Sequence, residues 1–231
     1  MILPGKLCIA LTGHGPDALA EQLATVTLSY DVVEIRLDGM RDPNVAACLA
    51  TIQHPVLCTN RPAWEGGKYH GSEQERVALL EQAVELRAAY IDIELETDTA
   101  LRTHIIQRAE AANSKVIVSH HDFARTPGPE VLRNTLNRMQ DSGGTIGKII
   151  TTAQHPTDVA RVLSLLALAK DMDFPLIAFC MGETGRISRF ATLYMGGYMT
   201  YLSLEESQET APGQFSLKHF HSLTTLFTKT P

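Results

Sequence analysis

The chain has 231 residues, 44% of them hydrophobic and 20% charged, with a net charge of −6. This composition excludes disordered and collagen-like chains and leaves a core-forming protein of one large domain or two small ones. The acidic balance disfavours general binding to nucleic-acid phosphates, the first residues lack a signal-peptide layout, and no apolar run approaches the ~20 residues of a membrane span.

Short apolar runs rich in Val, Ile and aromatics predict strands over 6–11, 32–37, 55–59, 90–95, 115–119, 146–151, 175–180 and 198–202. Segments of helical period lie between them. The stretch 73–87 places Val77, Leu80 and Val84 on one stripe, and Ser72 with Glu75 forms a capping-box signature ahead of it. The stretch 130–139 follows Pro129, 158–170 follows Pro156, and 216–227 closes the chain. Cys8, Cys48, Cys58 and Cys180 have no C-x-x-C spacing. They read as small buried hydrophobes in a reducing cytoplasm.

Eight strands alternating with helical segments, at about 29 residues per unit, match the ~30 residues of a βα unit. The alternation predicts an α/β protein, a (β/α)8 TIM barrel formed by residues 1–231 as a single domain. An open doubly wound sheet is the rival, but no G-x-G-x-x-G follows the first strand. Linkers, low-complexity segments and composition breaks are not evident.

A barrel places its chemistry at the C-terminal ends of strands. Those ends carry Glu34, Arg36 and Asp38; Arg61 and Glu65-Gly66-Gly67; Asp92 and Glu94; His120-His121; Lys148; and, after the seventh strand, Arg186 and Arg189. Lys148 shares one face with Ile146 and Ile150. It is either a nucleophile tuned by its surroundings or a lysine paired with a carboxylate or snorkelling outward. His120 and His121 point to opposite faces, so one is a candidate general acid/base and the other structural. Glu34, Arg36 and Asp38 form either an ion-pair network or a clamp for hydroxyls and anions. Arg61 and Arg189 suit carboxylates. Metal catalysis is disfavoured because H-E-x-x-H and Cys/His ligand spacing are absent.

Taken together, these strand ends resemble type I 3-dehydroquinate dehydratases. The matching pieces are Glu34-Ile35-Arg36, Arg61 with Glu65-Gly66-Gly67, Asp92-Ile93-Glu94-Leu95, Ser119-His120-His121-Asp122-Phe123, Gly147-Lys148-Ile149, Met181 with Gly185-Arg186-Ile187-Ser188-Arg189, and Ala211-Pro212-Gly213-Gln214. They run in order across nearly the whole chain. The resemblance implies syn dehydration of 3-dehydroquinate to 3-dehydroshikimate in the shikimate pathway, with no metal or diffusible cofactor. It implies Lys148 as the Schiff-base lysine, His121 as general acid/base and Glu65 as the carboxylate that orients it. It assigns substrate binding to Glu34, Arg36, Arg61, Arg189, Thr210 and Gln214, and support from below to Asp92. Arg36 and Arg61 are also expected to help keep Lys148 deprotonated. His120 stands where the family usually carries an aromatic and is assigned a structural role. A cytoplasmic homodimer acting on a small molecule is expected.

Four positions depart from the family pattern. Ala10 stands where many members carry serine, with Thr12 as a substitute if it faces inward. Thr210 replaces serine, Phe179 a frequent methionine and Tyr201 a frequent phenylalanine. Two other readings compete: a class I Schiff-base aldolase, which would more often need a phosphate site after strands 7–8, and an inactive barrel acting as a binding protein.

Overall fold

A computed structural model describes residues 5–11, 15–205 and 213–228. Eight strands and eight helices alternate along it. The strands are β1 (Lys6–Leu11), β2 (Val32–Arg36), β3 (Val56–Thr59), β4 (Tyr90–Glu94), β5 (Lys115–Asp122), β6 (Ile146–Thr152), β7 (Leu176–Met181) and β8 (Met199–Ser203). The helices are α1 (Pro16–Ala24), α2 (Val45–Thr51), α3 (Glu73–Glu85), α4 (Thr99–Ala112), α5 (Pro129–Asp141), α6 (Pro156–Asp171), α7 (Arg186–Tyr194) and α8 (Leu217–Thr228). A two-residue strand that the apolar runs do not predict, β9 (Phe215–Ser216), precedes α8.

All the pairings are parallel, in the order β7-β6-β5-β4-β3-β2-β1-β8-β9. The sheet curls round so that Tyr198 N donates to Leu176 O at 2.8 Å, joining the β8 side to β7 at the bottom. The architecture is the expected (β/α)8 barrel, with β9 added beside β8 at the top.

Two apolar cores hold it together. The larger lies between strands and helices and includes Leu19, Val77, Leu80, Ile105, Leu136, Val162 and Leu193. The smaller fills the barrel interior with Cys8, Val32, Leu57, Tyr90, Ile117, Ile146, Ile177 and Met199. The split follows from the two-residue period of a strand: one face meets the helices and the other meets the barrel axis.

Local chemistry sets the helix starts. The Ser72–Glu75 capping box is present at α3, and Pro129 and Pro156 occupy first-turn positions of α5 and α6, where a missing N–H is harmless. All four cysteines are buried free thiols. Among the described residues no helix is long and apolar enough to cross a membrane.

Candidate active site

Moving up each strand by two residues replaces the apolar interior with charge. On β4 the inward series is Tyr90, Asp92, Glu94; on β6 it is Ile146, Lys148, Ile150; on β5 it is Ile117, Ser119, His121. Register puts Ser119 beside both Glu94 and Lys148. The C-terminal strand ends surround a cavity of about 260 Å³. Its walls include Glu34, Arg36, Arg61, Glu65, His121, Lys148, Arg189 and Gln214, which are all the expected site residues except Thr210. Thr210 lies outside the described residues, as does Thr12.

Lys148 is buried, with Nζ 2.9 Å from Asp92 Oδ2 and 4.2 Å from the centroid of the Tyr201 ring. The family resemblance sets two guanidiniums against this amine. The charge at hydrogen-bond distance is instead the Asp92 carboxylate, because Arg61 turns to other partners. Arg61 Nη2 is 2.9 Å from Asp92, and Nη1 reaches Glu65 at 3.2 Å, the Ser119 hydroxyl at 2.6 Å and Glu94. Ser119 Oγ in turn donates to Asp92 Oδ1 at 2.6 Å. Burial alone would raise the Asp92 pKa, but Arg61 and Lys148 outweigh it and hold this carboxyl well below the usual range.

The second oxygen of Glu94 pairs with Arg76, a fully buried side chain of α3 that also binds Glu73 and the Thr97 hydroxyl. A charged residue on a helix ordinarily reads as solvated, so sequence reasoning missed Arg76. Only the position of Glu94 on the neighbouring strand gives it a role.

His121 Nδ1 lies 3.1 Å from Glu65 Oε2, which leaves Nε2 as the second ring nitrogen for other chemistry. Burial is the main cause that pushes His121 well below its ordinary value, and Arg61, Lys148 and Arg36 push the same way. Burial also lifts Glu65 to about 8, against the pull of Arg61. At neutral pH the two shifts favour an uncharged pair: a protonated carboxyl beside a neutral imidazole.

Glu65 is set by the turn it ends. Gly66, at φ 75°, caps the short 3₁₀ turn Ala63–Glu65 in the left-handed region, and a Cβ there would meet the Phe123 ring. Gly67 passes so close to the Arg61 backbone that a Cβ would stand 2.0 Å from its carbonyl oxygen. The glycine pair therefore permits the close turn that sets Glu65 between Arg61 and His121.

His120 faces away from the barrel axis and is part-buried, with Nδ1 3.7 Å from Glu65 Oε1. Arg36 forks onto Asp38 at 2.9 and 2.8 Å, and Asp38 belongs to the 3₁₀ turn Leu37–Gly39, which takes in the last residue of the predicted strand. Glu34 accepts from the Thr59 hydroxyl at 2.7 Å. Arg189, on α7, lies over the Phe179 ring at 4.6 Å. Gln214 immediately precedes β9, whose pairing with β8 brings it to the rim.

A family model described as type I 3-dehydroquinase matches residues 7–231. The chain belongs to this family. A 3-dehydroquinate dehydratase of Desulfotalea psychrophila is 39% identical over 222 residues, which is 94% of this chain and 96% of that protein. The bifunctional 3-dehydroquinate dehydratase/shikimate dehydrogenase of Arabidopsis thaliana is 38% identical over 220 residues, 93% of this chain and 36% of that protein. Among solved structures, the type I 3-dehydroquinate dehydratase of Clostridium difficile with covalently modified comenic acid superposes with a TM-score of 0.85 at 26% identity, covering 96% of this chain and 92% of that one. The type I family thus accounts for the chain along its length, as the strand-end residues implied.

Proposed function

We propose that the chain is a hydro-lyase of the shikimate pathway that converts 3-dehydroquinate to 3-dehydroshikimate by syn elimination through a Schiff base on Lys148. The observation that carries this reading is the meeting in one cavity of a buried lysine, a neutral histidine backed by a carboxyl group, and an arginine over an aromatic ring. That set suits a ketone bearing a carboxylate. The covalent modification in the Clostridium difficile relative supports a covalent route.

In this scheme the Lys148 ammonium loses a proton, with His121 as the neutral base in the same cavity. The amine adds to the ketone carbon, and His121 returns its proton to the carbinol oxygen, which leaves as water to give the protonated imine and a neutral His121. The imine acidifies the adjacent C–H, and His121 Nε2, free of hydrogen once Glu65 is ionised and accepts from Nδ1–H, takes that proton to leave an enamine. The enamine electrons expel the hydroxyl one carbon further on, and His121 returns its proton to the departing oxygen. Hydrolysis of the product imine frees Lys148, so the overall change is loss of one water. Asp92 holds the amine in place and offsets the positive imine nitrogen. Arg189 and Gln214, with Thr210, take the substrate carboxylate, while Glu34 and Arg36 face the ring hydroxyls. Arg61 lines the same cavity and acts chiefly by fixing Asp92, Glu94 and Glu65. Residues 1–231 act as one catalytic domain, without a diffusible cofactor. A homodimer in a reducing cytoplasm completes the reading, and the four free thiols suit that compartment.

Borohydride added with 3-dehydroquinate is expected to leave a stable adduct on Lys148, identified by peptide mass spectrometry. Absence of the adduct in a protein that forms the conjugated enone would sink the imine step. No enone absorbance, together with cleavage of a phosphorylated sugar, would favour the aldolase.

A further inference from the structure

Tyr201 stands midway along β8 with its ring buried inside the barrel, lining the site cavity. Its face carries Lys148 Nζ, and its neighbour is the Phe179 ring, 6.3 Å away and tilted by 56°. The ring therefore neighbours both the amine and the aromatic platform under Arg189. Its Oη is buried and has no hydrogen-bond partner among the described residues.

A buried hydroxyl without a partner gives up its bonds to water and gains nothing in return. Phenylalanine would fill nearly the same volume without that cost. A hydroxyl that is costly in the free protein, on a side chain that lines a ligand cavity, is accounted for by a ligand that pairs with it. Among the described residues of β1, the inward side chains next to Tyr201 carry no hydroxyl. On β1, Cys8 is the register partner of Tyr201, and Ala10 lies two residues above it. The phenol is pushed well above its ordinary value, first by burial and then by Glu34, so it remains a protonated donor.

We propose that Tyr201 Oη donates a hydrogen bond to a substrate hydroxyl, the one on the ring carbon next to the imine carbon. This rests on the dehydratase reading above. With Lys148 Nζ over the phenol ring, the imine carbon lies beside Tyr201. Of its two neighbouring carbons, one is the CH2 that His121 deprotonates. The other bears a hydroxyl. Glu34, whose charge acts on the same phenol, is the acceptor for that hydroxyl's own proton. Tyr201 is thus a binding residue that fixes the orientation of the ring about the imine.

Tyr201→Phe tests this with the loss of one oxygen. The expected result is a KM for 3-dehydroquinate raised about tenfold, the scale of one net hydrogen bond, with kcat within about threefold. The free variant should also melt at a higher temperature, since it no longer buries an unpaired group. An analogue lacking the hydroxyl beside the ketone should inhibit wild type and Tyr201→Phe equally. An unchanged KM would overturn the proposal, and so would an analogue that still discriminates between the two proteins tenfold. A wild-type protein that does not turn over 3-dehydroquinate at all would instead overturn the dehydratase reading.

Discussion

The floor and the mouth of the barrel are built on the same strands two residues apart, yet they solve opposite problems. The floor is apolar: Val32, Leu57, Ile117, Ile146, Ile177 and Met199 fill it. Below them Tyr90 and Tyr198 bring their hydroxyls within 3.1 Å, with Lys115 Nζ 5.9 and 5.7 Å from the two ring centroids. The mouth buries Glu34, Arg61, Glu65, Asp92, Glu94, Lys148 and Arg189 in a comparable space. Burying charge is expensive even when it is paired, and a well-packed apolar layer is often at least as stable. The floor therefore supplies cohesion, while the mouth trades stability for chemistry. Alternation on each strand makes the division sharp.

The largest effect expected from breaking this division is on turnover at the mouth. Lys148→Ala should lower kcat by about 10⁴-fold or more, since no other group can form the imine. The barrel should still fold, because Asp92 keeps Arg61 and Ser119 as partners. Circular dichroism and the enone assay check both halves. Turnover within tenfold of wild type would show that the imine is not the route.

The complementary change is at the floor. Met199 is fully buried on β8, two residues below Tyr201. Met199→Ala should cost about 2–5 kcal/mol of stability through lost contact and a residual cavity, with kcat within about twofold at temperatures where the variant is folded. Denaturant unfolding beside steady-state kinetics measures this. A fall in kcat as deep as that of Lys148→Ala would mean that floor and mouth are not separable.

Much of this division is legible in the amino-acid sequence. Apolar runs of strand length, the helical stripe Val77–Leu80–Val84 and the Ser72–Glu75 box locate elements because each is a local preference. Alternation alone puts Lys148 on one face with Ile146 and Ile150 and separates His121 from His120. What sequence does not reveal is pairing over distance. Arg61 pairs with Glu65, four residues on, but it also gathers Asp92 and Glu94 from β4, and nothing near it in the chain shows that these two claim its charge. Arg76 reads as a surface residue until Glu94 is seen to face it. The strand β9 is only two residues long and runs straight into α8, so it has no period of its own. Its identity comes from the pairing of Phe215 with Leu202.

The pair at the mouth offers a finer test, because activity and stability should respond to one titration in opposite directions. Burial lifts the Glu65 carboxyl from its ordinary 4.5 to about 8. While protonated, Glu65 can offer its proton to His121 Nδ1, and Nε2 is then the nitrogen that carries hydrogen. Once ionised, Glu65 accepts from Nδ1–H, and Nε2 is free to take the substrate proton. For the free enzyme, kcat/KM should therefore climb with pH and level off above about 8. Stability should move the other way. A carboxyl whose folded value is raised favours the fold fully below 4.5, and that contribution is lost as pH climbs through about 8. Glu65→Gln cannot ionise. It should lower kcat/KM by roughly 10²-fold and remove the rising limb, in line with the usual weight of acid–base assistance. It should also flatten the decline in melting temperature between those two values. If the limb keeps its midpoint in Glu65→Gln, another group controls the base, and the neutral pairing of Glu65 with His121 is not what sets the pH dependence of the mouth.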